Sequence, residues 1–256
     1  MNSTKRLIIL SGPSCVGKSP LVKALRRAYP GMPFQMPIFY TSRQPRTIEQ
    51  EGVDYYFRSE KEIRSFPPDR FIIARTRTVW QGIDLEETER LFARHDLIIT
   101  EVYPTLGTLL LEHPRVQQMS AEFEIQTVFI SPATEEEIQA VQTGMGFASP
   151  DEATAAIMLP KHIARMQQQG KLLTPELMED LHIRAGKAYE EIRMGRSYAH
   201  RIVNHDGEDS NNWRYTPPIG EAGATLKRFV GILESPVFSV DSGFRWNDGI
   251  LRTHQD

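Results

Sequence analysis

The chain has 256 residues, of which 40% are hydrophobic and 25% charged, the balance of a globular body with a sizeable core and no bias toward disorder outside its ends. A formal net charge of −3 supplies no global attraction to nucleic acid or to an anionic membrane, so neither is expected as a partner and any bound anion must be held locally. A single cysteine, Cys15, excludes an internal disulfide framework and any structural zinc site built on two or more thiolates, which fits a reducing compartment.

In chain order, Leu7 to Leu10 is a short apolar run, too brief for a signal segment or a membrane span, so a cytoplasmic location is expected. A Gly/Pro/Ser turn follows, then Leu21-Val22-x-x-Leu25 with Lys23, Arg26 and Arg27 opposite, which reads as strand, loop and helix. Further strands are predicted at 37–41, 55–57, 71–74, 97–100, 127–130 and 201–203. Helices are predicted at about 84–93, 134–141, 151–169, 175–194 and 221–233. This alternation predicts an α/β fold around a parallel sheet covered on both faces. No short period repeats, which excludes a solenoid.

The run Gly12-Pro13-Ser14-Cys15-Val16-Gly17-Lys18-Ser19 fits G-x-x-x-x-G-K-[ST], directly after one predicted strand and directly before a predicted helix. Such a loop aims backbone N–H groups inward, and the following helix adds its positive end, so a polyphosphate exchanges water for fixed donors. Lys18 is expected to reach the β- and γ-phosphates of ATP, and Ser19 to place its hydroxyl on Mg²⁺. Pro20 lacks the N–H that would add one more phosphate contact, although the first helical turn tolerates it. Cys15 has two readings: a small residue filling the turn, or a thiol whose ionisation the helix N-terminus favours, open to oxidation.

From Tyr40 to Phe57 the chain concentrates Arg43, Arg46, Glu49 and Tyr55 around a turn. Arginine forks bind phosphate oxygens and a tyrosine hydroxyl adds a neutral donor; on residue types alone the arginines could equally be loop charges paired with Glu49 or Glu51. The segment resembles the guanylate kinase signature, a T-T-R-x-P-R stretch followed by a glutamate and G-x-D-Y-x-F, through Arg43, Pro45, Arg46, Glu49, Gly52, Asp54, Tyr55 and Phe57. With Ser11-Gly12-Pro13-Ser14 and Gly17-Lys18-Ser19, the chain is identified as a member of the guanylate kinase-like superfamily. The likeness is dense over about 7–57 and thin beyond.

The resemblance implies a P-loop three-layer α/β fold with a central parallel sheet, an acceptor-binding insert and a helical lid. The implied division is a core of 1–30, 95–133 and 184–234, an insert at 31–94, an enlarged lid at 134–183 and a tail at 235–256. It implies ATP-dependent, Mg²⁺-assisted transfer of the γ-phosphoryl group to a phosphorylated small molecule. By the same resemblance Arg43, Arg46 and Tyr55 hold the acceptor's monophosphate and Glu49 orients the arginines. Val203-Asn204 resembles a late V-N pair whose asparagine lies near the adenine.

The base pocket departs from that pattern. Phe39 stands where the family has a serine, Ile73 where it has a glutamate, and Gln81-Gly82-Ile83 where it has tyrosine-glycine-serine; in Glu101-Val102-Tyr103 a tyrosine replaces the base-reading carboxylate. An apolar wall leaves the N1 and N2 donors of guanine unpaired, at about 1–3 kcal/mol for each buried group, so the expected acceptor is a nucleoside monophosphate other than GMP. Glu101, at a strand end, is expected to act on Mg²⁺ through water. The family's lid arginines are replaced in Ala140 to Gly146, and Arg184 resembles the remaining one, so Lys18, Arg43, Glu101 and Arg184 are the residues expected to serve the transfer. Lys161, Arg165 and Lys171 are either substitutes for the lid arginines or a solvated helix face. His162, His182, His200 and His205 lack metal-ligand spacing. Two alternatives remain: a sugar-phosphate kinase of the same superfamily, and a non-catalytic module that binds phosphopeptides, against which the intact Lys18 and Ser19 count.

Overall fold

β1 (Arg6–Ser11) carries an unbroken apolar run, Leu7 to Leu10, because both of its faces are buried, as a central parallel strand requires. Alternation sorts its side chains, Ile8 and Leu10 packing on one side of the sheet and Leu7 and Ile9 on the other. The computed structural model describes residues 5–46, 49–76, 79–119 and 123–235. The tail beyond Ser235, with Phe238, Phe244 and Trp246, therefore lies outside the described residues. α1 (Lys18–Ala28) sends Leu21, Val22 and Leu25 to meet Ile8 and Leu10. Its first intrahelical bond runs from the Leu21 N–H to the Gly17 carbonyl, so Pro20 costs the helix no hydrogen bond.

The next stretch builds a sheet of its own from β2 (Phe39–Thr41), β3 (Tyr55–Phe57), β4 (Phe71–Thr76) and β5 (Val79–Asp84), in the order β3-β2-β5-β4. Only β2 and β3 are parallel; the other pairs are antiparallel. The strands of this stretch therefore stand apart from the central parallel sheet that the sequence predicts. β5 was not predicted, since Gln81-Gly82 breaks its apolar pattern and its strand character comes from pairing with β4. α1 (Lys18–Ala28) and β3 are followed by a short α2 (Glu60–Arg64), also not predicted, which is held by a reciprocal capping box between Ser59 and Glu62.

The chain then returns to the core through α3 (Leu85–Arg94), β6 (Leu97–Glu101), α4 (Pro104–Glu112), α5 (Pro114–Met119) and β7 (Glu124–Ser131). α6 (Glu135–Met145), α7 (Pro150–Gln168) and α8 (Pro175–Gly186) form a helical excursion; α9 (Ala188–Met194), β8 (His200–Val203) and α10 (Gly220–Glu234) complete the core. The predicted helix at 175–194 is two helices, broken at Gly186 and Lys187, where glycine weakens the helix. α4 and α5 were not predicted. The core sheet is wholly parallel, in the order β6-β1-β7-β8. Leu226 and Phe229 of α10 cover the face of Ile8 and Leu10, while Leu106 and Leu110 of α4 and Ile192 of α9 cover the other. Among the described residues no helix is long and apolar enough to cross a membrane. The C-terminal ends of β1, β6 and β8 deliver the phosphate loop, Glu101 and Asn204 to one edge, where open parallel sheets bind ligands.

Candidate active site

Positive φ at Gly12 (146°), Cys15 (67°) and Gly17 (96°) curls the loop between β1 and α1. At Gly17 a Cβ would stand 2.6 Å from the Asn204 amide nitrogen, and at Gly12 it would stand 2.3 Å from the Ile130 carbonyl oxygen. Only glycine allows these approaches. Pro13, Ser14, Cys15 and Val16 are buried with the loop, as is Lys18. The Lys18 ammonium donates to the carbonyls of Gly12 (2.6 Å) and Pro13 (2.8 Å). Ser19 donates through Oγ to Glu101 Oε1 at 2.7 Å. Burial pushes the Glu101 carboxyl up, against the opposing pull of Lys18 and the Ser19 hydrogen bond. A curled backbone, a buried ammonium and a hydroxyl paired with a carboxylate form a donor set that fits a magnesium nucleotide.

Asn204 is buried and donates to the Val16 carbonyl at 2.8 Å, so it props the loop from beneath. The segment after it clasps the loop as well, with the Glu208 N–H donating to the Cys15 carbonyl (2.9 Å) and the Trp213 indole to the Gly207 carbonyl (2.6 Å). Burial pushes the Cys15 thiol up, Arg165 opposing it, which corrects the reading of an ionised, reactive thiol. Cys15 Sγ stands 3.1 Å from His162 Nδ1 and accepts from Arg165 at 3.5 Å.

Those two side chains come from α7. Arg165 also pairs with Glu208 (3.2 Å), and although burial works against its charge, Glu208 and Cys15 keep the guanidinium firmly protonated. Of the three candidate lid cations, Arg165 is therefore the one brought to the loop and the cleft before it. Lys161 donates to the His205 carbonyl instead, and Lys171 is exposed. Arg184 is tied to Asp180 on its own helix at 2.5 Å, so the arginine that meets the loop is not the one the resemblance indicated. The sequence held a signal for Arg165: it follows Lys161 and His162 on the same helical face, a run of polar groups where a buried face is expected.

The turn after β2 brings Arg43, Arg46, Glu49 and Tyr55 together. Arg43 grips Glu49 with two bonds, at 2.5 and 2.6 Å, and Glu49 also accepts from the Arg46 N–H at 2.9 Å and pairs with its guanidinium at 3.5 Å. Burial raises the Glu49 carboxyl, but these bonds outweigh it and hold the group below its ordinary range. Arg43 lies over the rings of Tyr55 (4.8 Å) and Phe57 (5.7 Å). Burial, together with the Glu101 charge, pushes the Tyr55 phenol up, so its hydroxyl remains a donor. A cleft of about 600 Å³ runs between this cluster and the loop, reaching from Arg46, Glu49 and Tyr55 to Ser19, Glu101 and Arg165.

Strand register decides which insert side chains share the face of Tyr55. Phe39 pairs with Tyr55, Thr41 with Gln81, Ile72 with Ile83 and Ala74 with Gln81, which places these residues on one face. Ile73 pairs with Gly82, which pairs with Tyr40 on its other side, so Ile73 lies with Tyr40 and Phe66 on the opposite face, and Ile72 and Ala74 share the face of Tyr55. Phe39 and Ile83 are buried, in the same apolar cluster as Ile72 and Ala74. Tyr103 has its ring 5.4 Å from the Lys18 ammonium.

One histidine missed in the sequence bridges the helical excursion and the core. His205 Nε2 lies 3.0 Å from Glu137 of α6, and its Nδ1 lies 3.2 Å from Glu221 of α10. Hydrogen bonds to Glu137 and Glu221 raise its pKa against burial. The folded-state value therefore lies above the unfolded one, so the stabilising contribution is complete below about pH 6.5 and is lost as pH rises through the raised value. Hydrogen exchange in the first turn of α6 is expected to speed up as pH rises through that window, after correction for intrinsic exchange. His205→Gln should abolish this pH dependence.

With this geometry in view, the comparisons are specific. The guanylate kinase family model matches residues 4–180. A guanylate kinase from Corynebacterium diphtheriae is 30% identical over 197 residues, covering 76% of this chain and 97% of that protein. One from Mycoplasma mobile is 25% identical over 202 residues, covering 78% and 85%. The crystal structure of guanylate kinase from Anaplasma phagocytophilum matches with a TM-score of 0.54 at 16% identity, over 91% of this chain and 86% of that one, a likeness of fold. A match that runs unbroken from the phosphate loop through the insert and into α8 makes this chain a member of the guanylate kinase family, a phosphotransferase of the nucleoside monophosphate kinase type.

Proposed function

We propose that the protein transfers the γ-phosphoryl group of ATP to a nucleoside monophosphate other than GMP. In this reading 31–94 is the acceptor insert and 134–183 the lid. Lys18 and the loop backbone hold the donor's phosphates, and Arg43, Arg46 and Tyr55 hold the acceptor's phosphate. Ser19 and Glu101 would hold Mg²⁺, which supplies neutralisation of phosphate charge. Arg165 balances charge on the transferring group from the lid side. The cleft that joins the clusters sets donor and acceptor for in-line transfer and limits water.

The choice of acceptor rests on taking the insert face that carries Tyr55 as the wall that meets the base. Its side chains Phe39, Ile72, Ala74 and Ile83 are apolar, and the hydrogen-bonding groups beside them, Thr41 and Gln81, are neutral. The Thr41 hydroxyl is buried without a hydrogen-bond partner. A hydroxyl and an amide can read a base with one donor and one acceptor on its edge, but they do not replace carboxylates that accept from both guanine donors. Each unpaired guanine donor costs about 1–3 kcal/mol, or roughly 5- to 150-fold in kcat/KM. An ADP-release assay with Mg²⁺-ATP against nucleoside monophosphates and sugar phosphates tests the reading. At least one non-guanine nucleotide is expected to exceed GMP by tenfold or more; GMP as the best acceptor would overturn it, and a sugar phosphate as the best acceptor would replace it with the sugar-phosphate alternative.

A further inference from the structure

The local chain fixes Tyr103 on both sides. The Val102 N–H donates to the Leu10 carbonyl (3.0 Å), and Ser11 Oγ donates to the Val102 carbonyl (3.1 Å), so the preceding residue is pinned to β1. Pro104 follows as the first residue of α4, and Tyr103 takes the extended conformation (φ −73°, ψ 153°) that a residue before proline prefers. The Gly107 N–H donates back to the Tyr103 carbonyl at 2.9 Å. The ring is thus aimed by backbone that has little freedom to move.

It is aimed at Lys18. An ammonium carries three N–H donors. Two are used on the Gly12 and Pro13 carbonyls, and the Tyr103 ring, with its centroid 5.4 Å away, offers its electron-rich face to the same cation. The surroundings of Tyr103 reach both halves of the site, for its phenol interacts electrostatically with Tyr55 of the acceptor cluster and with Arg165 of α7.

We propose that Tyr103 is a positioning residue that holds the Lys18 ammonium at the mouth of the phosphate loop through its ring. A carboxylate at this place would bind Lys18 as an ion pair and compete with phosphate oxygens for it. A ring attracts the cation without neutralising it, so Lys18 stays oriented and free to exchange the loop carbonyls for phosphate. The proposal rests on the reading of the loop as a nucleotide-phosphate site.

Calorimetric titration with ADP, without acceptor, isolates the effect. Tyr103→Leu is expected to weaken ADP binding about 5- to 30-fold, the range of a partly desolvated cation–π contact, and to lower kcat while leaving the acceptor KM within about threefold. Tyr103→Phe, which keeps the ring, should bind ADP within about twofold of the parent. In a Lys18→Ala background, Tyr103→Leu should cause no further loss, a coupling that general damage to α4 does not produce. Equal losses from Phe and Leu, or an undiminished Leu effect in the Lys18→Ala background, would overturn the role of the ring. Unchanged ADP binding by Tyr103→Leu alone, with Lys18→Ala impaired, would do the same while sparing the nucleotide reading. Unchanged binding in Lys18→Ala would remove the nucleotide reading and the proposal with it.

Discussion

Arg165→Ala is expected to lower kcat about 10²- to 10³-fold while changing the KM for the acceptor little. A single preorganised donor on the charge that develops in a transfer step carries about that much, and up to more where an arginine serves phosphoryl transfer. The guanidinium is largely but not fully buried beside the loop, held by Glu208 and by Cys15 Sγ, and lines the cleft with Ser19 and Glu101. Arg165→Lys should recover little, because a point charge does not reproduce the planar fork. The contrast variant is Arg184→Ala. Its guanidinium is paired with Asp180 one turn away, so its loss should change kcat less than about fivefold. Steady-state kinetics on both variants checks the assignment; the reverse ranking would return the lid role to α8.

Arg43→Ala should cost about 10²-fold or more in kcat/KM, expressed mainly in the acceptor KM. Truncating one partner of a hydrogen-bonded charge pair costs about 2–5 kcal/mol, and here the residue left behind is Glu49, with only 10% of its side chain exposed and the longer Arg46 contact as its remaining ion pair. Glu49 would then repel the acceptor phosphate it helped to seat. Glu49→Gln should be milder, about tenfold, since an amide keeps the shape and can still accept from Arg43 and the Arg46 N–H. ADP binding should be unaffected in both, which separates the acceptor cluster from the loop. A parallel fall in ADP affinity would contradict the two-site arrangement.

The two predictions differ in how far the sequence reaches. The Arg43, Glu49 and Tyr55 cluster spans a short segment whose turn brings its own members together, so spacing alone located it. The same is true of the phosphate loop, where glycines, Lys18 and Ser19 act within one strand-turn-helix unit. Arg165 is brought to Cys15 by tertiary packing across |i−j| = 150 positions of chain. Helical periodicity could mark it as facing something, yet could not say what. The face that Ile73 occupies was hidden for a different reason. A strand alternates every residue, so an alignment displaced by one position moves a side chain to the other face, and the hairpin pairing of β4 with β5 fixes which position is right.

What the sequence determined by itself was therefore the local chemistry: a phosphate loop after a buried strand, a turn that gathers two arginines around Glu49, and an α/β order of elements. Local motifs are legible because their residues meet through short stretches of backbone with few allowed shapes. Only the tertiary structure decided that the insert has its own mixed sheet and that Asn204 supports the loop. It alone showed that Cys15 is shielded, that Tyr103 faces Lys18 and that α7 supplies the arginine. Each of these depends on which helix or strand face packs against another, and that choice is made by burial of the whole core and not by any one segment.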